Sequence, residues 1–251
     1  MTARGEVHVE VRGLTMAYGG RCIQEGLSFA VARGEIFVIM GDTGCGKTLL
    51  MRHMIGLDAP AAGDVFYAGQ ALWAAEPPER EALKRGFGVL FQNGALISSM
   101  TLEENVALPL TVHAGLKQGP AAEVARLKLA LVGLSGFEQH YPSELSGGMR
   151  KRAGLARAMA LDPEILYFDE PSSGLDPLSA RRLDDLILEL RDSAGTTVVL
   201  VTHQLPTIFE LGDHALFLDA ERRTMIAQGR PRELKESGDA KVRAFMSRGR
   251  V

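Results

Sequence analysis

Several apolar runs in this chain are of strand length and show no alternation. They are Ile36-Phe37-Val38-Ile39-Met40, Phe87-Gly88-Val89-Leu90-Phe91, Ile165-Leu166-Tyr167-Phe168 and Thr197-Val198-Val199-Leu200-Val201. Unbroken runs of this kind mark strands buried on both faces. Helical patterning lies between them: Leu49 to Ile55 continues as a helix after the first run, and Leu183, Leu186, Ile187 and Leu190 recur at helical spacing until Gly195 stops them. Strands alternating with helices predict an α/β fold with a largely parallel sheet covered on both faces. The N-terminus is patterned differently. Val7, Val9 and Val11 alternate with His8, Glu10 and Arg12, the period of a half-buried strand, and Leu27-Ser28-Phe29-Ala30-Val31 looks like another.

Val65-Phe66-Tyr67 is a short strand, Ala68-Gly69-Gln70 a turn, and Glu79 to Arg85 a charged, helix-compatible stretch. From Asn93 to about Pro142 strand patterning stops and helices are predicted over Thr101 to Leu108 and Ala121 to Leu131, the first opened by a capping box at Thr101-Leu102-Glu103-Glu104. This stretch reads as a helical insertion into the α/β domain. Ser146 to Ala160 is helical again. From Ala215 the chain reads as a small hairpin and one final short helix, ending in the basic Arg248-Gly249-Arg250-Val251.

Composition narrows the classes. The 251 residues suffice for a substantial core, and 28 Lys+Arg against 31 Asp+Glu give a formal charge of −3, without the basic field that nucleic-acid binding shows. No nucleic-acid partner is expected. Cys22 and Cys45 are the only cysteines, one of them inside a glycine-rich loop, which fits a reducing compartment and a cytoplasmic location. Met1 to Glu6 lacks an apolar leader, and no apolar run approaches the roughly 18 residues of a membrane span. If the chain serves a membrane, it is expected to do so as a bound subunit.

The chemistry centres on Gly41-Asp42-Thr43-Gly44-Cys45-Gly46-Lys47-Thr48, which fits the phosphate-binding pattern G-x-x-x-x-G-K-[ST] and sits where a predicted strand hands over to a helix at Leu49. Its glycines let successive backbone N–H groups curl around phosphate oxygens, and the helix N-terminus adds partial positive charge. Lys47 is placed to reach the outer phosphates of ATP, and the Thr48 hydroxyl to meet Mg²⁺. Other polar groups fall at the C-terminal ends of predicted core strands, the edge where open α/β sheets bind ligands. Asp169 is expected to hold Mg²⁺ through water, Glu170 to act as general base, Gln92 to bond metal-bound and attacking waters, and His203 to contact the γ-phosphate. Tyr18 fits two roles equally, stacking on an adenine or ending a strand as a half-buried aromatic. Leu145-Ser146-Gly147-Gly148-Met149 opens a helix with a Ser cap and bare glycine N–H groups, a second anion site far along the chain.

With that last motif in place the chain resembles the ATP-binding subunits of ABC transporters, over essentially its whole length: Tyr18, Gly41 to Thr48, Gln92, Ser146 to Gly148, Asp169-Glu170, Ser173-Gly174-Leu175-Asp176 and His203. The resemblance implies one P-loop ATPase domain over 1–251 with an N-terminal antiparallel β subdomain, a helical subdomain at 93–160 and a short tail at 236–251. It implies ATP and Mg²⁺ as cofactors and a head-to-tail dimer in which Ser146 and Gly148 of one copy close over the nucleotide held by Lys47 of the other, linked through Asp176. Thr43-Gly44-Cys45-Gly46-Lys47-Thr48 followed by Arg52-His53-Met54-Ile55-Gly56-Leu57, with Phe87-Gly88-Val89-Leu90-Phe91-Gln92-Asn93-Gly94-Ala95-Leu96 and Glu103-Glu104-Asn105-Val106-Ala107-Leu108-Pro109-Leu110, are most similar to the ATPases of Mce/Mla-type phospholipid transporters. That likeness implies an MlaE-like integral-membrane permease, an Mce-domain protein and a small STAS-domain regulator as partners at the bacterial inner membrane. Leu96, Ile97 and Met100 then suit either the wall of a permease-docking groove or plain core packing. Some members of that group carry a C-terminal extension, and here the sequence runs to Val251. Two alternatives use the same nucleotide chemistry: a soluble assembly ATPase of the iron–sulfur scaffold type, and the ATPase of another ABC transporter.

Overall fold

The computed structural model describes residues 5–247. The basic segment 248–251 lies outside them. The chain forms two compact units, one made of the chain up to Lys84 together with the chain from Arg191 onward, the other of Arg85–Leu190.

The first unit begins with β1 (Val7–Tyr18) and β2 (Arg21–Ala32), antiparallel and joined at Gly19-Gly20, both at positive φ. Both strands outrun the alternation visible in the sequence because register shifts at several points of their pairing break the period. Val9, Val11, Leu14 and Met16 of β1 and Leu27, Phe29 and Val31 of β2 are buried. On its other edge β1 pairs antiparallel with β4 (Ala62–Tyr67), which pairs with the two-residue β5 (Gln70–Ala71), followed by α2 (Pro77–Lys84).

The same unit holds β3 (Ile36–Gly41), buried at every position and flanked in parallel by β8 (Thr197–Val201) and β9 (His214–Asp219). The hairpin strand β10 (Thr224–Gly229) runs antiparallel to β9. Phe29 and Phe37 stack with centroids 5.4 Å apart, and His8 Nδ1 lies 2.7 Å from Thr197 Oγ1, so both apolar and polar contacts fasten the antiparallel sheet to the parallel strands. α1 (Lys47–Met54) follows the loop after β3 and buries Leu50, Met51 and Met54. Where the sequence predicts one terminal helix the structure has two, α8 (Pro231–Ser237) and α9 (Ala240–Ser247). A further short helix, α7 (Leu205–Leu211), precedes β9. Each is close to two turns, too short for periodicity to register.

In the second unit β6 (Phe87–Leu90) and β7 (Ile165–Asp169) pair in parallel, Leu90 opposite Phe168. The helices α3 (Leu102–Val112), α4 (Gln118–Leu131) and α5 (Gly147–Ala158) occupy the chain between them. The capping box at Thr101 and Glu104 forms as expected, with Glu104 N donating to Thr101 Oγ1 at 3.2 Å and Thr101 N to Glu104 Oε2 at 2.8 Å. Asn105, fully buried, donates its amide to the carbonyls of Ile97, Met100 and Thr101 and accepts from Ile97 N, fixing the loop before α3. α5 lies close against β6: a Cβ at Gly88 would stand 2.2 Å from the Ala158 carbonyl oxygen, and one at Gly154 2.8 Å from Leu90 Cδ1. α6 (Pro177–Ala194) follows β7 and the loop after it in the chain. No helix among the described residues is long and apolar enough to cross a membrane.

Candidate active site

In the first unit the loop between β3 and α1 is held at Gly41, Cys45 and Gly46. Gly41, at φ +151, abuts the end of β9, where an added Cβ would be 2.4 Å from the Leu218 carbonyl oxygen. Gly46, at φ +100, faces Ile23 and Met16, and a Cβ there would stand 2.9 Å from Ile23 Cγ2. Both positions therefore require glycine for backbone conformation and for space. Gln24, buried on β2, donates from one amide nitrogen to the Cys45 carbonyl at 2.8 Å and to the Asp219 carbonyl at 3.0 Å, tying the middle of the loop to the end of β9. Cys45 is buried, and that burial, outweighing the Lys47 charge, pushes its thiol pKa up. The Lys47 ammonium donates to the carbonyls of Gly41 and Asp42, both at 3.0 Å, so the charge sits over the loop it belongs to.

Thr43, Gly44 and Thr48 are exposed. A cavity of about 310 Å³ opens beside the start of the loop, lined by Gly41, Asp42, Thr43, His203, Leu205 and Phe245 among others. The expected neighbourhood of His203 and the phosphate loop is therefore present within this unit. Tyr18 ends β1 with 75% of its surface exposed, which does not fit a half-buried strand-end aromatic and leaves its ring accessible.

In the second unit Gln92 and Asp169-Glu170 leave the same ends of the paired strands β6 and β7. Asp169 is buried as the last residue of β7. Glu170 adopts φ +49, a left-handed conformation that side-chain-bearing residues rarely hold and that turns the chain sharply after the strand. The loop is clamped by Lys151 of α5, whose ammonium donates to the Glu170 carbonyl at 3.3 Å and the Ser173 carbonyl at 2.5 Å. Burial lowers the Lys151 pKa, against the pull of the Glu170 charge. Asp176 accepts the N–H groups of Leu178 and Ser179 at 3.1 and 3.0 Å at the start of α6. Its pKa is lowered by the Ser179 side chain first and these backbone donors after it.

Ser146 caps α5, accepting Met149 N at 3.2 Å. Ser146 and Gly147 are exposed, and the nearest atoms to a Cβ on Gly147 would be 4.0 Å away, so the backbone at this turn stands open. Along α3 a groove of about 570 Å³ is lined by Ser99, Met100, Glu103, Ala107, Leu108 and Thr111 among others. Met100 belongs to it. Leu96 is half-buried and Ile97 exposed, so neither is plain core.

Sequence reasoning missed Gln24, Lys151 and Lys241. Gln24 is one polar residue in an otherwise ordinary strand, and Lys151 lies in the run Arg150-Lys151-Arg152, which reads as solvated charge. The contacts of all three become visible only in three dimensions.

The comparisons fit this geometry. The family model described as "ABC transporter" matches residues 24–173. The chain is 39% identical over 246 residues to the "Probable ribonucleotide transport ATP-binding protein mkl" of Mycobacterium tuberculosis, covering 98% of this chain and 68% of that one. It is also 39% identical over 238 residues to the "Intermembrane phospholipid transport system ATP-binding protein MlaF" of Escherichia coli, covering 95% and 88%. Among solved structures, the ATP-binding cassette MJ0796, in a dimeric post-hydrolysis state bound to ADP and Pi, superposes with a TM-score of 0.79 at 27% identity, over 88% of this chain and 98% of that one. The fold is shared by cbiO1 of Clostridium perfringens, at a TM-score of 0.82 and 24% identity over 93% and 92%. A family match spanning more than half the chain, joined to relatives aligned along nearly all of it, means that this protein belongs to the ABC transporter family as one of its ATP-binding, ATP-hydrolysing subunits.

Proposed function

We propose that this chain powers the movement of phospholipid between the membranes of a bacterial envelope, acting as a head-to-tail pair of copies on the cytoplasmic face of the inner membrane beneath an integral-membrane permease. The observation carrying this reading is the 39% identity, along 95% of the chain, with the Escherichia coli protein named for intermembrane phospholipid transport. An Mce-domain protein and a STAS-domain regulator complete the proposed assembly. The helical subdomain, 93–160, supplies its docking face, with the groove along α3 receiving a segment of the permease.

In the proposed cycle, Tyr18 stacks on the adenine while the backbone N–H groups from Asp42 to Leu49 and the Lys47 ammonium hold the phosphates. Thr48, Gln92 and Asp169 offer a hydroxyl, an amide oxygen and a carboxylate, an all-oxygen set suited to a hard cation that keeps several waters. Mg²⁺ bound there would spread the negative charge that builds on the transferring phosphoryl group. Glu170 takes a proton from the attacking water, Gln92 orients that water, and His203 donates to the γ-phosphate. The open turn at Ser146 to Gly148 of the second copy closes over the same phosphate, and Asp176 with its loop couples the two sites. ATP thereby holds the pair together, and hydrolysis releases it.

A second reading rests on one observation: the mycobacterial relatives, named for probable ribonucleotide transport, are equally identical at 39%. The deciding experiment is to tag the subunit in its own host, extract it in mild detergent and identify what co-purifies in stoichiometric amounts. A multi-span permease, an Mce-domain protein and bound phospholipid are expected. Bound ribonucleotide cargo in place of phospholipid would favour the second reading. Soluble partners alone would move the function to an assembly ATPase.

A further inference from the structure

We propose that Lys241, on the C-terminal helix α9, is a positioning residue of the phosphate loop: it offsets the carboxylate charge of Asp42 and so sets how tightly a polyphosphate is held. An acidic side chain at the second position of an anion-binding loop works against its own ligand, because like charges repel strongly where water is partly excluded. The Lys241 ammonium lies 3.2 Å from Asp42 Oδ2 and 3.1 Å from Asp219 Oδ1. Asp219 is only 1% exposed at its side chain, and Lys241 and Asp42 are 29% and 25% exposed.

The ammonium is delivered by a fixed element. Lys241 N donates to Asp239 Oδ1 at 2.8 Å in the first turn of α9, and Arg222 pairs with Asp239 at 3.0 Å. Val242, Phe245 and Met246 are buried, with Phe245 edge-on to Phe217 of β9 at 5.2 Å. Asp219 also accepts Glu221 N at 2.7 Å and Arg222 N at 3.1 Å, and the Glu221 carboxylate stands 3.7 Å from the same ammonium, so Lys241 offsets Asp42 as one member of a cluster of three carboxylates. Burial pushes the Asp219 carboxyl up, but the Arg222 and Glu221 N–H groups and the Lys241 ammonium together bring it below its ordinary value. Lys241 is raised, by its bond to Asp219 first and by Asp42 as well. The end of β9 thus meets the loop three times: at Gly41 through the Leu218 carbonyl, at Cys45 through Gln24, and at Asp42 through Lys241. The first two contacts shape the loop. The third adjusts its charge.

This inference rests on the nucleotide reading of the loop, and the test separates the two. ATP and ADP affinities are measured on the whole purified chain with Mg²⁺, by displacement of a fluorescent ATP analogue, for wild type, Lys241→Ala, Lys241→Arg, Asp42→Asn and the Asp42→Asn/Lys241→Ala pair. Lys241→Ala is expected to weaken ATP about tenfold, and ADP, with less charge, by less. Lys241→Arg restores most of the affinity, and Asp42→Asn binds at least as tightly as wild type. In the Asp42→Asn background, where the loop carries no carboxylate of its own to be offset, Lys241→Ala should change affinity by less than about twofold. Equal weakening in both backgrounds would mean that Lys241 only fastens α9 to β9, and no weakening in either would remove it from the site; both overturn the proposal. Wild-type chain that shows no saturable ATP binding would sink the nucleotide reading itself.

Discussion

The phosphate loop and the Leu145-to-Met149 turn both place glycine-rich backbone ahead of a helix, but they are held in opposite ways. The phosphate loop is shaped by contacts from β1, β2 and β9 that leave no room for a side chain at Gly41 or Gly46. The Ser146 turn is secured by its own helix cap, with open space around Gly147. A loop built like the first is preorganised for its ligand before the ligand arrives. A turn built like the second presents N–H groups outward and acquires anion-binding power only when something else brings the anion to it.

The sharpest test of that difference is a pair of substitutions. Lys47→Ala should weaken ATP binding to the isolated chain by about 10²-fold or more, since it removes the loop's own charge. Ser146→Arg should leave that binding within about twofold yet abolish hydrolysis, if its turn acts across the proposed pair. Nucleotide titration and a phosphate-release assay read both, and Ser146→Arg with full activity would break the head-to-tail arrangement. Next in size, Glu170→Gln should bind ATP normally and slow phosphate release by roughly 10²-fold or more, as loss of a general base does. Near-normal turnover would take Glu170 out of that role.

Smaller effects concern shape alone. Gly46→Ala should cost about 2 kcal/mol or more in denaturant unfolding, from a strained φ and a clash with Ile23 and Met16. Gln24→Ala should cost about 1–3 kcal/mol by leaving the carbonyls of Cys45 and Asp219 without their buried donor. Gly147→Ala should shift stability by no more than about 0.5 kcal/mol, since the nearest atoms to the added methyl stand at an unstrained 4.0 Å. If Gly46→Ala and Gly147→Ala proved equally mild, the distinction between a braced loop and an open turn would fail.

Much of this was legible in the sequence because buried parallel strands read as unbroken apolar runs and a phosphate loop has a fixed spacing. β3, β7 and β8 and the loop after β3 are cases where local pattern and final structure agree. The pattern gave out where long-range packing decides. β1 and β2 extend past their visible alternation because register shifts reset which face is buried. α7, with Pro206 in its first turn, and the separate α8 and α9 are stabilised by burying a few residues each, such as Ile208, Leu234 and Phe245, not by propensity. Glu170 was legible as an acid following a strand, but its left-handed backbone and the Lys151 clamp were not, since nothing local to Asp169-Glu170 demands either. Lys241 lies 199 residues from Asp42 in the chain, and no local window contains both.

The bracing of the phosphate loop also governs how its function is lost on heating. With Gly41 against the Leu218 carbonyl and Cys45 suspended from buried Gln24, the loop has no way to loosen that spares β2 and β9. Its inner amides should therefore exchange with solvent only through openings that disrupt the sheet, while those near Ser146 exchange through local fraying. Nucleotide affinity would then persist almost unchanged up to the melting of the first unit and vanish with it in one cooperative step, so the capacity to bind ATP doubles as a report that this half of the protein is folded.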